Sequence, residues 1–303
     1  MKKLNNLLFF VIHPKVIDYL DDFFGCIINQ TISNFDILVI EDQIERIRYP
    51  SKLKKLKILK AGDNQTPSEI RSMGLKFAVE EGYKNLIFSD ADDFFTKNRL
   101  ENSVYLLTKY DFIFNEQSSV DVLGRILRKN LLKEFNAPRT LNSLEEILNR
   151  NFVGLTNSAV KIFPDIVNFE IKKNKAFDWF FFSKLLLENK KGFFDSSSVS
   201  FYRQTDSNIV GIPSEISYES LDQNLDIKLK HYEDLLIFMK DNSLRKDENI
   251  LKSLYDDFST LKEKFKSAGF KKDYLGKVNR NFHLIYKGWW SEIITERMLK
   301  EYE

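Results

Sequence analysis

Short, unbroken apolar runs alternate with helix-patterned stretches from the N-terminus to Asn115, and this alternation narrows the fold more than any other feature. Leu7–Ile12 (LLFFVI) contains no polar residue, as a strand covered on both faces requires. Val16, Ile17, Leu20, Phe23, Phe24, Ile27 and Ile28 then recur at helical spacing. Phe35–Ile40 (FDILVI) reads as a second strand and Leu56–Leu59 as a shorter third. Thr66-Pro-Ser-Glu69 has the form of a helix start: Thr66 caps, Pro67 fits the first turn and Glu69 closes a capping box. That helix runs to about Glu81 and stops at Gly82. Leu86–Ser89 is strand-like, the stretch from about Lys97 to Leu107 helical, and Phe112–Asn115 strand-like. Such alternation implies right-handed crossovers and a mainly parallel sheet.

The middle of the chain is less regular. Ser143 and Glu146 predict a capped helix to about Asn149, Asp178–Glu188 a helix, and Val199–Tyr202 a late strand. After about Ser220 the strands vanish and charged amphipathic helices take over. Ile250, Leu254, Phe258, Leu261 and Phe265 lie on one face of a helix ending before Gly269. The expected organisation is an α/β domain over residues 1–217 and a helical region over 218–303.

Bulk properties exclude several classes. The net charge of +2 provides no field for nucleic acid, and no basic stripe interleaved with aromatics is present. The single cysteine, Cys26, rules out an internal disulfide and a cysteine-based zinc site, and its apolar helical face makes it inert core. His13, His231 and His283 lack metal-ligand spacing. No stretch approaches the ~20 apolar residues of a membrane span. The N-terminal apolar run is short and no small-residue cleavage site follows it, so it reads as a strand and not a signal peptide. The expected location is cytoplasmic, with peripheral contact at the inner face of the membrane left open.

The most informative chemistry is in Leu86–Phe95, LIFSDADDFF. An apolar strand runs straight into Asp90, Asp92 and Asp93. On an extended backbone, residues two apart point the same way, about 7 Å apart. Asp90 and Asp92 would then present two carboxylates at the carboxyl edge of a parallel sheet, where ligands bind. Two like charges so placed call for a cation between them, and Mg²⁺ or Mn²⁺ with oxygen ligands is the natural partner. The plainer alternative is a solvated Asp-rich turn and helix cap.

In context these segments resemble the inverting glycosyltransferases of the GT-A fold, family 2. Phe10-Val-Ile-His-Pro14 looks like that family's opening strand. Gln30-Thr31 with Asn34–Asp42 is similar to its QTxxNFEIIVVDD stretch, and Arg71-Ser-Met-Gly-Leu75 to its RNxGL motif. Ser89–Asp93 with Asn98-Arg-Leu-Glu101 resembles LDSDDxxxPxRLE. Phe177-Asp178-Trp179 is similar to EDW, and Tyr202-Arg203 with Asn208 to YRxHxxN. The likeness covers about residues 5–210. Lys15-Val-Ile17, Gln43, Ser72, Phe177 and Thr205 depart from the family pattern, so the later part of the site matches it less closely than the donor half.

The resemblance implies a GT-A fold, Rossmann-like with a mainly parallel central sheet and a C-terminal helical extension. It implies transfer, with inversion, of a hexosyl or N-acetylhexosaminyl group from a nucleotide diphosphate sugar, UDP-sugar favoured. The acceptor would be a hydroxyl on a bacterial glycan or a lipid-linked acceptor. Pro14 would lie under the donor base, and Asp42 would accept a hydrogen bond from it. Arg71 near a helix N-terminus suits the diphosphate. Asp90 would contact the ribose or the ion, with Asp92 the first metal ligand and Asp93 a further candidate. Asp178 would be the general base, or else a helix cap; Arg203 and Asn208 would close over the diphosphate. His13 divides evenly between site lining and structure. Trp179 is open to stacking on a sugar, and the C-terminal helices, with Trp289-Trp290, to acceptor, sister subunit or membrane surface. A non-catalytic sugar-nucleotide-binding or scaffold protein of the same fold is the alternative. A haloacid-dehalogenase-type phosphatase is disfavoured by the late position of the acidic motif, and a nucleotidyltransferase by the missing glycine-rich loop.

Overall fold

A computed structural model describes residues 5–134, 136–169, 176–205, 216–285 and 293–302 of the 303-residue chain. Asn208 and Trp289-Trp290 lie outside the described residues. The chain divides into two compact units. One comprises Met1–Asn142, Val153–Lys173 and Lys190–Ser207; the other Ser143–Phe152, Asn174–Asn189 and Asn208–Glu303. The helical unit therefore draws in two segments from before residue 217.

The first unit is built on one mixed sheet. Strands β1 (Asn6–Ile12), β2 (Asp36–Glu41), β3 (Leu56–Lys60) and β4 (Asn85–Phe88) run parallel in the order β3-β2-β1-β4. Every residue of β2 is buried, and all of β1 except Val11, as the unbroken apolar runs demand. β3 stands at the edge and carries Lys57 and Lys60, charges that discourage further pairing. Beyond β4 come β9 (Ser158–Lys161), β6 (Phe112–Val120), β10 (Gly192–Arg203) and β5 (Phe94–Phe95). β9 is antiparallel to both neighbours, whereas β6 and β10 share a long parallel ladder. Two short strands, β7 (Ile126–Arg128) and β8 (Thr140–Leu141), pair with β6 and β10.

Among the described residues this unit holds the α-helices α1 (Leu20–Ile28), α2 (Pro67–Glu80), α3 (Arg99–Leu106) and α4 (Leu131–Glu134). The expected capping box is present: Thr66 Oγ1 accepts from Glu69 N, and Glu69 reaches back to Thr66 N at 2.7 Å. Instead of a helix from Val16, the chain takes a 3-10 turn over Pro14–Tyr19, with Pro14 opening it, before α1 begins. Phe10, Phe23, Phe24 and Phe95 interlock in the core between β1 and α1.

The second unit holds α5 (Glu145–Leu148), α6 (Phe177–Leu187), α7 (Tyr218–Asp241), α8 (Glu248–Lys264), α9 (Ala268–Arg280), α10 (Phe282–Ile285) and α11 (Glu296–Leu299). Nearly every residue of α6 is buried, so its phenylalanines are core. Trp179 is core as well, which corrects the expectation of a sugar platform. It is fully buried, its Nε1 donates to Ile147 O at 2.8 Å, and its ring stacks on His231 at 3.7 Å. The buried Lys228 ammonium donates to Asn149 O and Ile293 O, so its charge is spent on carbonyls. Among the described residues no helix is long and apolar enough to cross a membrane.

Candidate functional site

The parallel strands β1, β2, β3 and β4 end at one edge of the sheet, and the candidate donor-site residues follow those ends. His13 and Pro14 come directly after β1, and Asp42 directly after β2, where its N–H donates to Ile12 O at 2.8 Å. Helix α2 starts shortly after β3, turning its N-terminal N–H groups to the same edge, with Arg71 in its second turn. Asp90 follows β4 after Ser89, whose N–H still extends the ladder to Phe9 O.

The structure brings Asp90 and Arg71 within 3.8 Å of each other. Both are partly exposed, and Arg71 Nε is buried with no hydrogen-bond partner. His13 stands in the fields of Asp42, Asp90, Arg71 and Lys15. Burial dominates and lowers its pKa, so the imidazole is neutral at physiological pH. His13, Asp42, Arg71 and Asp90 thus lie near one another at this sheet edge, although they come from four separate segments of the chain.

Asp90–Asp93 is a turn, closed by Asp93 N donating to Asp90 O at 3.3 Å, and not the extended segment expected from the sequence. The turn still brings the carboxylates near one another. Burial pushes the Asp92 carboxyl up to about 6, with a further contribution from the Asp90 charge. Asp93 is buried; burial, then Asp92 and Asp90, raise its pKa well above the usual carboxylate range. Asp93 Oδ1 accepts from Arg203 N at 2.8 Å, which ties the turn to the end of β10.

Arg203, expected to face the donor, is placed inside the unit with 1% of its surface exposed. Its Nε donates to Asp92 O at 2.8 Å, Nη1 to Val122 O at 2.7 Å and Nη2 to Asp22 Oδ2 at 2.9 Å. The guanidinium also lies over the rings of Tyr19 and Phe94. It therefore braces the acidic turn from behind. A second buried arginine, Arg99, was not assigned a role by sequence reasoning. Its Nη2 donates to Phe88 O at 2.7 Å and its Nε to Asn115 Oδ1 at 3.0 Å, joining α3 to the last residue of β4. The only sequence signal was its place in the Asn98–Glu101 stretch.

Asp178 belongs to the second unit. It sits one residue inside α6, whose cap is Ala176, and its Oδ1 accepts from Trp179 N at 2.8 Å. An acid in a first helical turn also suits the helix dipole. Cys26 donates its thiol to Phe23 O, and burial pushes its pKa up to about 12, consistent with inert core.

Among the described residues no group of three or more His, Cys, Asp or Glu side chains forms a metal cage. The donor set fits a different kind of site. Mg²⁺ and similar hard ions are held by one or two carboxylates with the remaining positions filled by water and substrate phosphates. Asp90 and Asp92, where the Asp90 charge adds to the burial that raises the Asp92 pKa, would supply that pair.

No family model matches the chain. A protein described as an uncharacterized glycosyltransferase of Rickettsia bellii (strain RML369-C) is 32% identical over 108 residues. That match spans 33% of this chain and only 15% of the relative's length. Among solved structures, S. aureus TarS 1–349 in complex with UDP-GlcNAc superposes with a TM-score of 0.59 at 15% identity, covering 84% of this chain and 71% of that one. The same protein in complex with UDP gives a TM-score of 0.56 at 14% identity, over 84% and 70% of the two chains. The likeness establishes the fold: the chain has the GT-A-like architecture expected from its sequence, with a central sheet whose longest ladders are parallel.

Proposed function

We propose that this chain is a glycosyltransferase that moves a sugar from a nucleotide diphosphate sugar onto a hydroxyl acceptor of a bacterial glycan. One observation carries the reading. Asp42, His13, Arg71, Asp90 and Asp92 converge at the carboxyl edge of a parallel sheet, the edge at which open α/β sheets bind nucleotides. The shared fold with TarS, captured with UDP-GlcNAc and with UDP, and the partial match to a glycosyltransferase support the same class. They favour a uridine diphosphate donor bearing a hexosyl or N-acetylhexosaminyl group.

The residues divide the work by chemistry. Pro14 floors the base pocket and Asp42 accepts the imide N–H of the base. Arg71 and the N-terminus of α2 face the diphosphate, and the loosely held Arg71 guanidinium, with its unpartnered Nε, is free to pair with it. Asp92 and Asp90 would hold Mn²⁺ or Mg²⁺; when bound, such an ion neutralises charge on the leaving diphosphate. Asp93 and Arg203 hold the turn that presents those carboxylates. Asp178 is proposed as the base that takes the acceptor proton, with inversion at the anomeric carbon.

A thermal-shift screen of nucleotide sugars, each with and without Mn²⁺, tests the reading, because a ligand of the native state raises the midpoint. A uridine diphosphate sugar should shift the midpoint more with Mn²⁺ than without, and slow donor hydrolysis should accompany binding. Absence of a shift with every nucleotide sugar would overturn it. A shift without any hydrolysis or transfer would point to the non-catalytic alternative.

A further inference from the structure

We propose that the hairpin joining β6 to β7 docks the protein onto an anionic bilayer surface. Val122, Leu123, Ile126 and Leu127 are 48%, 71%, 47% and 56% exposed, four large apolar side chains within six consecutive residues. Elsewhere among the described residues exposed apolar side chains are scattered singly, which is ordinary. Ile126 and Leu127 are neighbours on a strand and point to opposite faces, yet both are open. At these two positions neither face of β7 is covered, although β6 beside it is buried.

The tip is stiff. Asp121 Oδ1 accepts from the N–H groups of Leu123 and Arg125 at 2.9 Å, and its Oδ2 from Arg125 Nε at 2.6 Å. Asp121 N and Gly124 N close the turn through Arg125 O and Asp121 O, with Gly124 at φ 77°. A preorganised tip presents its apolar side chains in one arrangement, so little ordering cost opposes insertion.

Charge selects the occupant. From Asp121 to Glu134 the chain carries Arg125, Arg128, Lys129 and Lys133 against two acids. Arg125 pairs with Asp121 and Arg128 with Glu134, whereas Lys129 and Lys133, which follow the apolar tip in the chain, are exposed. Apolar side chains flanked by cations match the boundary between acyl chains and anionic headgroups. The hairpin is also joined to the acidic turn, because Arg203 donates to Val122 O and to Asp92 O. On the glycosyltransferase reading, docking would hold the donor site at the surface where a lipid-linked acceptor hydroxyl lies; the binding itself does not rest on that reading.

Co-sedimentation of the intact chain with vesicles of phosphatidylcholine, alone or mixed with phosphatidylglycerol, tests the surface. Wild type should bind the anionic vesicles, less tightly as salt rises, and the neutral ones weakly. Leu123→Glu with Leu127→Glu should lower anionic-vesicle affinity at least ~10-fold at an unchanged melting temperature, because two exposed leucines lose their insertion. Lys129→Gln with Lys133→Gln should lower affinity for anionic vesicles only. Failure of wild type to bind anionic vesicles, or equal binding by the glutamate variant, would overturn the proposal. So would a wild-type dimer in light scattering that the glutamate variant abolishes, since a second copy would then cover the patch. Uridine diphosphate binding measured on the same variants should be retained; if wild type also lacks it, the donor reading fails and the vesicle result stands by itself.

Discussion

Arg203 spends its guanidinium on three acceptors and lies over the rings of Tyr19 and Phe94. Removing it strands the carbonyls of Asp92 and Val122. Arg203→Ala should therefore cost about 2–4 kcal/mol in urea unfolding, and weaken metal-dependent donor binding through the loosened turn, with Arg203→Lys intermediate. Its location could not be read from sequence, because Asp22, Asp92 and Val122 converge on it from three remote segments. The place of Asp90 and Asp92 was legible, since an apolar strand running into acids puts those acids at the end of β4. Gln43 adopts φ 55°, a left-handed backbone conformation that glycine takes at no cost. Asp178 is tested by turnover. Asp178→Asn should leave uridine diphosphate affinity unchanged and lower transfer by at least ~10²-fold; unchanged transfer would leave it only its place in the helix.

At the scale of elements, helix α2 lies against β1 through Gly74. A Cβ built there would come 2.3 Å from Phe9 Cζ. Gly74→Ala should cost about 1–3 kcal/mol from overpacking, whereas Gly25→Ala, within α1 and with nothing within 4 Å, should gain about 0.5–1 kcal/mol. Chemical unfolding of the two variants checks the opposite signs. The β1–β4 core with α2 was legible because parallel strands buried on both faces leave continuous apolar runs, and because a capping box is local chemistry. Strand β10 was legible only at Val199–Tyr202. It includes Asp195-Ser-Ser-Ser198, a polar stretch in which Asp195 pairs with β6 and the three serines form a bulge before pairing resumes at Val199. Asp195 satisfies the hydroxyls of Ser197 and Ser198, a tertiary solution that no periodicity announces. β5, β7, β8 and β9 escaped for the same reason: at two to four residues, they exist through their neighbours.

At the scale of the whole molecule, His231 adds a pH dependence to stability. It is fully buried in the helical unit, both ring nitrogens lack hydrogen-bond partners, and burial, then Lys228, push its pKa well below 6.5. The unfolded chain therefore binds a proton that the folded one refuses. The resulting loss begins as pH falls through about 6.5, at up to ~1.4 kcal/mol per pH unit. Asp92 and Asp93, with raised pKa values, act in the opposite sense, so the test is the difference between wild type and His231→Phe across pH 7 to 5. Wild type should lose stability relative to the variant over that range. The central claim concerns the other unit and is tested most directly by calorimetric titration of uridine diphosphate into wild type and Asp92→Ala, with and without Mn²⁺. The expected result is tight binding by wild type only when Mn²⁺ is present, and loss of that Mn²⁺ dependence in the variant at an intact fold. Identical binding by both proteins, or none by wild type in the presence of Mn²⁺, would contradict a donor site held together by the Asp90–Asp92 pair.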